Sequence, residues 1–121
     1  MLVVDDDECI RELLYLHLSQ AGYDVLLAED AIAAGKLVLE GAPDLMVADI
    51  IMPHMDGLEF VSAIRADATI PFFPVIFLTS AANIEDRVQA LGAVCFIKPV
   101  RADHLLRSIA EHLSASSPYT A

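Results

Sequence analysis

Basic residues are scarce in this chain: 7 Lys and Arg stand against 18 Asp and Glu, a formal net charge of −11 over 121 residues. Nucleic-acid binding rests on neutralising phosphates with Lys and Arg, so a chain this acidic is expected to be repelled by DNA and RNA. Anionic membrane surfaces are disfavoured for the same reason. Long hydrophobic runs are missing as well. Asp, Glu, Lys or Pro interrupts each apolar run before the roughly eighteen residues that a membrane helix needs. The opening residues lack a basic region followed by an apolar stretch and a small-residue cleavage site, so no secretory signal and a cytoplasmic location are expected. Cysteine is limited to Cys9 and Cys95, with no CxxC spacing and no metal-type histidines nearby, which points to reduced thiols rather than a disulfide. His17, His54, His104 and His112 have no mutual spacing for a metal site, and there is no internal repeat.

Apolar material, by contrast, is ample. The hydrophobic fraction is 56% and the mean hydropathy +0.55, enough for one domain around a single core. Five apolar runs, Leu2–Val4, Val25–Ala28, Leu45–Ala48, Val75–Leu78 and Val94–Ile97, read as buried strands. Segments of helical spacing lie between and after them. Ile10, Leu13, Leu14 and Leu18 share one face, and Ala34, Leu37 and Val38 another. Leu58, Val61 and Ile64, then Leu105, Leu106, Ile109 and Leu113, continue the series. Alternation of this kind predicts repeated βαβ units, hence a parallel α/β sheet covered on both faces. Gly22, Gly41-Ala42-Pro43 and Gly92 fall where helices should stop, and Pro71 and Pro74 confine the approach to the fourth strand. Residues 114–121 are small, polar and Pro-containing, and read as a flexible tail or the start of a linker after a domain spanning 1–113.

Three acids, Asp5, Asp6 and Asp7, follow the first strand directly. Clustered carboxylates repel and raise one another's pKa unless a cation neutralises them, and oxygen-only ligands suit Mg²⁺ better than zinc. A polar loop opening an acidic helix start would give the same residues, because acids favour the positive end of the helix dipole. In an open parallel sheet, ligands bind beyond the carboxyl ends of the strands. There the first strand carries Asp5 and Asp6, the third Asp49, the fourth Thr79 and Ser80, and the fifth Lys98. Each placement alone is weak: Asp is a common turn former, Thr a common helix cap and Lys a common solvated residue. Their convergence on one edge is the informative fact.

These residues sit in segments that resemble the receiver domain of two-component response regulators, over the span from Leu2 to about Leu113. The segments are Leu-Val-Val-Asp-Asp-Asp at 2–7, Asp-Leu-Met-Val-Ala-Asp-Ile-Ile-Met-Pro-His-Met-Asp-Gly at 44–57, Val-Ile-Phe-Leu-Thr-Ser at 75–80, Glu-Asp-Arg-Val at 85–88 and Phe-Ile-Lys-Pro at 96–99. The resemblance implies a single doubly wound, flavodoxin-like domain with five helices and strand order 2-1-3-4-5. It implies that Asp49 accepts a phosphoryl group from a histidine kinase or phosphotransfer protein. Mg²⁺ would be held by Asp6 and Asp49 directly, by Asp5 through water and by the Ile51 backbone carbonyl. Lys98 would pair with the phosphoryl oxygens, and Thr79 would swing in to donate a hydrogen bond. A switched surface would then engage a downstream output domain or effector protein. The protein would assist its own phosphorylation and dephosphorylation without being a turnover enzyme.

Neighbouring residues have blander readings. Asp7 and Glu8 are expected to stabilise the start of the first helix, and Asp56-Gly57 to form the turn into the third. Pro99 is placed in a cis bond by the resemblance. His54 is expected to be a solvated loop residue, and Phe72-Phe73 to pack under a loop. The stretch from Thr79 to Lys98 is a few residues shorter than the family pattern, so a shortened fourth helix is expected. Counting back from Lys98, the position of the family's switching aromatic is Cys95; counting forward from Gly92 it is Phe96. A cysteine there predicts that phosphorylation orders or displaces residues 81–92 rather than flipping a ring. Ile51 and Ala81 cannot orient a water through their side chains, so slow self-dephosphorylation is expected. Two rivals remain: a receiver-like interaction module independent of phosphate, and a Mg²⁺-dependent aspartyl-phosphate phosphatase. The second usually carries another acid two residues after its nucleophile, where this chain has Ile51. A flavin-binding domain of similar fold lacks its phosphate loop.

Overall fold

The computed structural model describes residues 1–80 and 83–115. Strands and helices alternate throughout: β1 (Leu2–Val4), α1 (Glu8–Gln20), β2 (Leu26–Ala28), α2 (Ala31–Glu40), β3 (Met46–Asp49), α3 (Gly57–Ala66), β4 (Val75–Thr79), α4 (Glu85–Ala90), β5 (Val94–Ile97) and α5 (Ala102–Ala115). The five strands form one parallel sheet in the order β2-β1-β3-β4-β5, as the resemblance implied. Register places Leu2 beside both Leu26 and Met46, so β1 and β2 finish level and β3 runs one residue further, to Asp49.

Two apolar layers follow from the strand period of two. Leu2, Val4, Met46, Ala48, Val75 and Phe77 face α2, α3 and α4. Val3, Val47, Ile76 and Leu78 face Leu14 and Leu18 of α1 and Leu105 and Ile109 of α5. Strands buried on both faces read as unbroken apolar runs rather than as alternation, which is why β1, β3 and β4 were visible in the sequence. The two edge strands depart from the expected burial: Leu26 and Leu27 of β2 are exposed, and β5 is partly exposed and ends on the exposed Ile97, because each has a neighbouring strand on one side only.

Strand ends differ from the sequence reading by one residue in places. β3 begins at Met46 and extends through Asp49, and β4 extends through Thr79. α5 runs on through Ala115, two residues beyond the expected end of the domain, and residues 116–121 lie outside those described. α1, α2 and α3 each start on an aspartate whose carboxylate accepts from the helix's own first N–H groups: Asp7 from Cys9 and Ile10, Asp30 from Ala33, Asp56 from Glu59. Such caps satisfy donors that the helix cannot pair internally. α4 is the exception. It has six residues, and Ile84 at its N-cap offers no side-chain hydrogen bond.

Candidate functional site

The acidic turn after β1 is built around Asp5, which is 1% exposed. Its N–H donates to the Ala28 carbonyl at the end of β2 (3.2 Å), and its Oδ1 accepts from Asp7 N–H at 2.9 Å. The latter bond closes a tight Asx turn, after which Asp7 starts α1. From that helix the Arg11 guanidinium reaches back and donates to the Asp5 carbonyl at 2.7 Å. Asp7 therefore serves the helix start, as the sequence suggested, and stands outside the acidic cluster.

Asp49, at the last position of β3, is 8% exposed. Its Oδ1 accepts from Ile51 N–H at 3.2 Å. Carboxylate oxygens of Asp5, Asp6 and Asp49 all lie within 4.8 Å of one another. Lys98, just after β5, donates from Nζ to Asp49 Oδ2 at 3.1 Å and to Asp5 Oδ2 at 3.4 Å. The backbone holds that lysine in reach: Lys98 N–H donates to the Thr79 carbonyl at 2.7 Å, tying the ends of β4 and β5 together. Thr79 itself is fully buried at the end of β4. The Lys98–Pro99 bond is cis, as the resemblance implied.

The electrostatics favour a cation. Burial raises the Asp5 pKa, and the Asp7 N–H and Lys98 only partly oppose it, while the Asp49 charge adds to the rise. Burial would lower the Lys98 pKa, but the bond to Asp49 and the charges of Asp49 and Asp5 outweigh it, and the net direction is up. One ammonium thus faces three carboxylates in a partly desolvated corner. An all-oxygen donor set with excess negative charge is the chemistry that a hard divalent cation such as Mg²⁺ matches.

Asp5, Asp6, Asp49 and Lys98 are therefore brought together, with Thr79 joined through its carbonyl to Lys98 and Ile51 through its N–H to Asp49. Asp56 caps α3 and is no second acid of the site. His54 is exposed, with its backbone in the left-handed region at φ 73°. The aromatic pair divides: Phe73 is buried, as expected, but Phe72 is 67% exposed with the Arg65 guanidinium 4.2 Å from its ring centroid. Cys95 pairs in register with Phe77 and packs partly against the α2–α3–α4 layer, whereas Phe96 packs partly against the α1–α5 layer. Burial, then the Glu85 charge, raises the Cys95 thiol pKa.

Three features went unread in the sequence. Gly57 is required by contact, since a Cβ there would collide with the Asp49 carbonyl oxygen and lie 3.0 Å from Ile50 Cα. The Arg11 grip on Asp5 and the Arg65 bonds to the Leu91 (3.0 Å) and Phe73 (2.8 Å) carbonyls also escaped. Side chains that bond to backbone leave no pairing pattern in a sequence.

Comparison with known proteins agrees with this fold. The family described as the response regulator receiver domain matches residues 1–110. Response regulator MprA of Mycobacterium sp. (strain KMS) is 38% identical over 121 residues, covering 98% of this chain and 52% of that protein. The chain thus spans about half the length of such curated relatives. The structure of chemotaxis response regulator CheY4 of Vibrio cholerae superposes with a TM-score of 0.83 at 33% identity, covering 91% of this chain and 94% of that one. Response regulator TrrA of Thermotoga maritima, solved in complex with Mg²⁺-BeF, gives a TM-score of 0.80 at 32% identity, covering 91% and 95%.

Proposed function

The chain belongs to the response regulator receiver domain family, and from that premise we propose that it is a Mg²⁺-dependent phosphoacceptor whose Asp49 is phosphorylated by a histidine kinase or phosphotransfer protein. One observation carries the reading: the Asp5, Asp6 and Asp49 carboxylates converge within 4.8 Å, with Lys98 bridging two of them. Asp49 attacks phosphorus through a carboxylate oxygen. The new O–P bond forms as the P–N bond to the donor imidazole breaks, and the imidazole leaves with the bonding pair and takes up a proton. Phosphoryl transfer asks mainly for in-line positioning and neutralised charge. Asp6, Asp49 and the Ile51 carbonyl, with Asp5 through water, would hold Mg²⁺, which when bound would supply charge neutralisation at this edge. Lys98 exchanges its Asp49 partner for a phosphoryl oxygen as a compact point charge, and Thr79 donates a further hydrogen bond. The response is read as altered order in residues 83–92, part of the 81–92 segment whose first two residues lie outside those described. An output domain or effector protein receives it.

The test is covalent labelling. Incubated with Mg²⁺ and acetyl phosphate, the protein should gain one phosphoryl group by intact mass, and Asp49→Asn none. Equal labelling of both overturns the assignment of Asp49. Labelling of neither favours a receiver-like module that acts without phosphate.

A further inference from the structure

The three clustered carboxylates are not held alike. Both oxygens of Asp5 are engaged, Oδ1 by Asp7 N–H and Oδ2 by Lys98, and both oxygens of Asp49 are engaged, by Ile51 N–H and Lys98. Asp6 is exposed, and among the described residues its carboxylate has no hydrogen-bond partner. With no partner for the carboxylate, the backbone is what sets the direction in which this side chain leaves the main chain. The peptide unit leading into Asp6 carries the Asp5 carbonyl, and that oxygen is the one Arg11 binds at 2.7 Å from α1. The other side of Asp5 is fixed by its N–H on Ala28. Arg11 is thus the group that locks the plane of the Asp5–Asp6 peptide, and it is anchored in a helix whose own start is capped by Asp7.

We infer that Arg11 is a positioning residue for Mg²⁺: it acts through the Asp5 carbonyl to aim the otherwise unsupported Asp6 carboxylate into the cluster. The inference deepens the phosphoacceptor reading and rests on it. Residues that orient a metal ligand without touching the metal commonly shift affinity by about tenfold or more when removed. The sign of the effect separates this role from a purely electrostatic one. A guanidinium beside a cation site repels the cation, so deleting Arg11 for charge alone should tighten Mg²⁺ binding, whereas deleting a positioning group should weaken it.

The experiment is a calorimetric titration of wild type, Arg11→Ala, Arg11→Lys and Asp6→Asn with Mg²⁺ alone, paired with acetyl phosphate labelling rates across Mg²⁺ concentrations. Arg11→Ala should bind Mg²⁺ about tenfold more weakly, and its labelling rate should return to the wild-type value once Mg²⁺ saturates. Arg11→Lys, which keeps a donor on a long stem, should recover part of the affinity. If Arg11→Ala fails to fold, the Arg11→Lys titration carries the test, with intermediate affinity expected. Unchanged or tighter binding in the folded Arg11 variants overturns the inference, as does a labelling defect that saturating Mg²⁺ leaves in place. Full-strength binding in Asp6→Asn overturns it too, since Arg11 is argued to act through Asp6, whereas absence of Mg²⁺ binding in wild type would instead defeat the Mg²⁺-dependent phosphoacceptor reading on which it rests.

Discussion

At the β1–β3 end of the sheet, Asp5 and Asp49 are each held at both carboxylate oxygens. At the α4–β5 end, the supports are few. β1, β3 and β4 are buried at every position, while β5 is half-exposed and ends on the exposed Ile97. α1, α2 and α3 have aspartate caps; α4 has none and spans six residues. Besides the turn's own backbone bonds, from Gly92 N–H to the Gln89 carbonyl and from Ala93 N–H to that of Val88, side-chain support for the α4–β5 turn comes from α3 and the loop after it: Arg65 binds the Leu91 carbonyl, and the exposed Phe72 ring lies under the Arg65 guanidinium and beside Gly92. Chemistry that depends on fixed distances sits where the core is densest. The element expected to move sits where local opening costs least.

The largest expected effect falls on the rigid end. Gly57→Ala would drive a methyl group into the Asp49 carbonyl, backbone that cannot yield as a side-chain tip can. Overpacking of this kind should cost about 3 kcal/mol and depress acetyl phosphate labelling together with the melting temperature. A variant that melts and labels like wild type would show that the β3–α3 loop is softer than its contacts imply.

Arg65→Ala should cost less, about 2 kcal/mol for the lost charge-assisted bonds, and its damage should be local. Hydrogen exchange should quicken across residues 83–92 and leave β1 and β3 untouched. Uniform loss of protection would erase the distinction between the two regions.

A gain is expected at Asp5. Its pKa is raised above the ordinary 3.8 by burial first, so the folded state holds the proton more tightly than the unfolded chain does. Stability from this group is then present at low pH and is lost as pH rises from 3.8 through the folded value. Asp5→Asn keeps the oxygen that accepts from Asp7, removes the ionisation, and should melt higher than wild type near neutral pH without Mg²⁺. The gap should close below pH 3.8, and a gap that persists there would assign the effect to something other than ionisation.

The smallest effect concerns Ile51, whose side chain is 61% exposed beside Asp49. Its partner in this expectation, Ala81, lies outside the described residues. Ile51→Asn offers a water the hydrogen bonds that isoleucine lacks, and phosphate loss after donor removal should quicken severalfold. A slower variant would reverse the idea.

How much of this was legible beforehand differs between the two regions for one physical reason. Buried strands must be apolar along their whole length and charged where they emerge, so Leu2–Val4 followed by Asp5, and Met46–Ala48 followed by Asp49, announce both strand and site. The shortening of α4 was visible as a missing stretch between Thr79 and Lys98. What could not be read was support supplied to backbone. Arg11 and Arg65 look like ordinary solvated helix cations, and nothing in their neighbours marks the carbonyls they reach. Phe72 and Phe73, adjacent and chemically identical, were separated only by the path of the loop before β4, which buries one and leaves the other outward.

The Arg65 clamp has a consequence for how this fold can diversify. Its two bonds end on main-chain oxygens, those of Leu91 and Phe73, and so are indifferent to the letters written at those positions. The outward face of α4 can be re-lettered for a new client without renegotiating the anchor, provided Gly92, whose φ of 67° favours glycine, is kept in the turn that follows. Specificity and attachment are held in separate accounts of the same sequence, and a designer wishing to retarget the surface should leave Arg65 alone and vary what surrounds it.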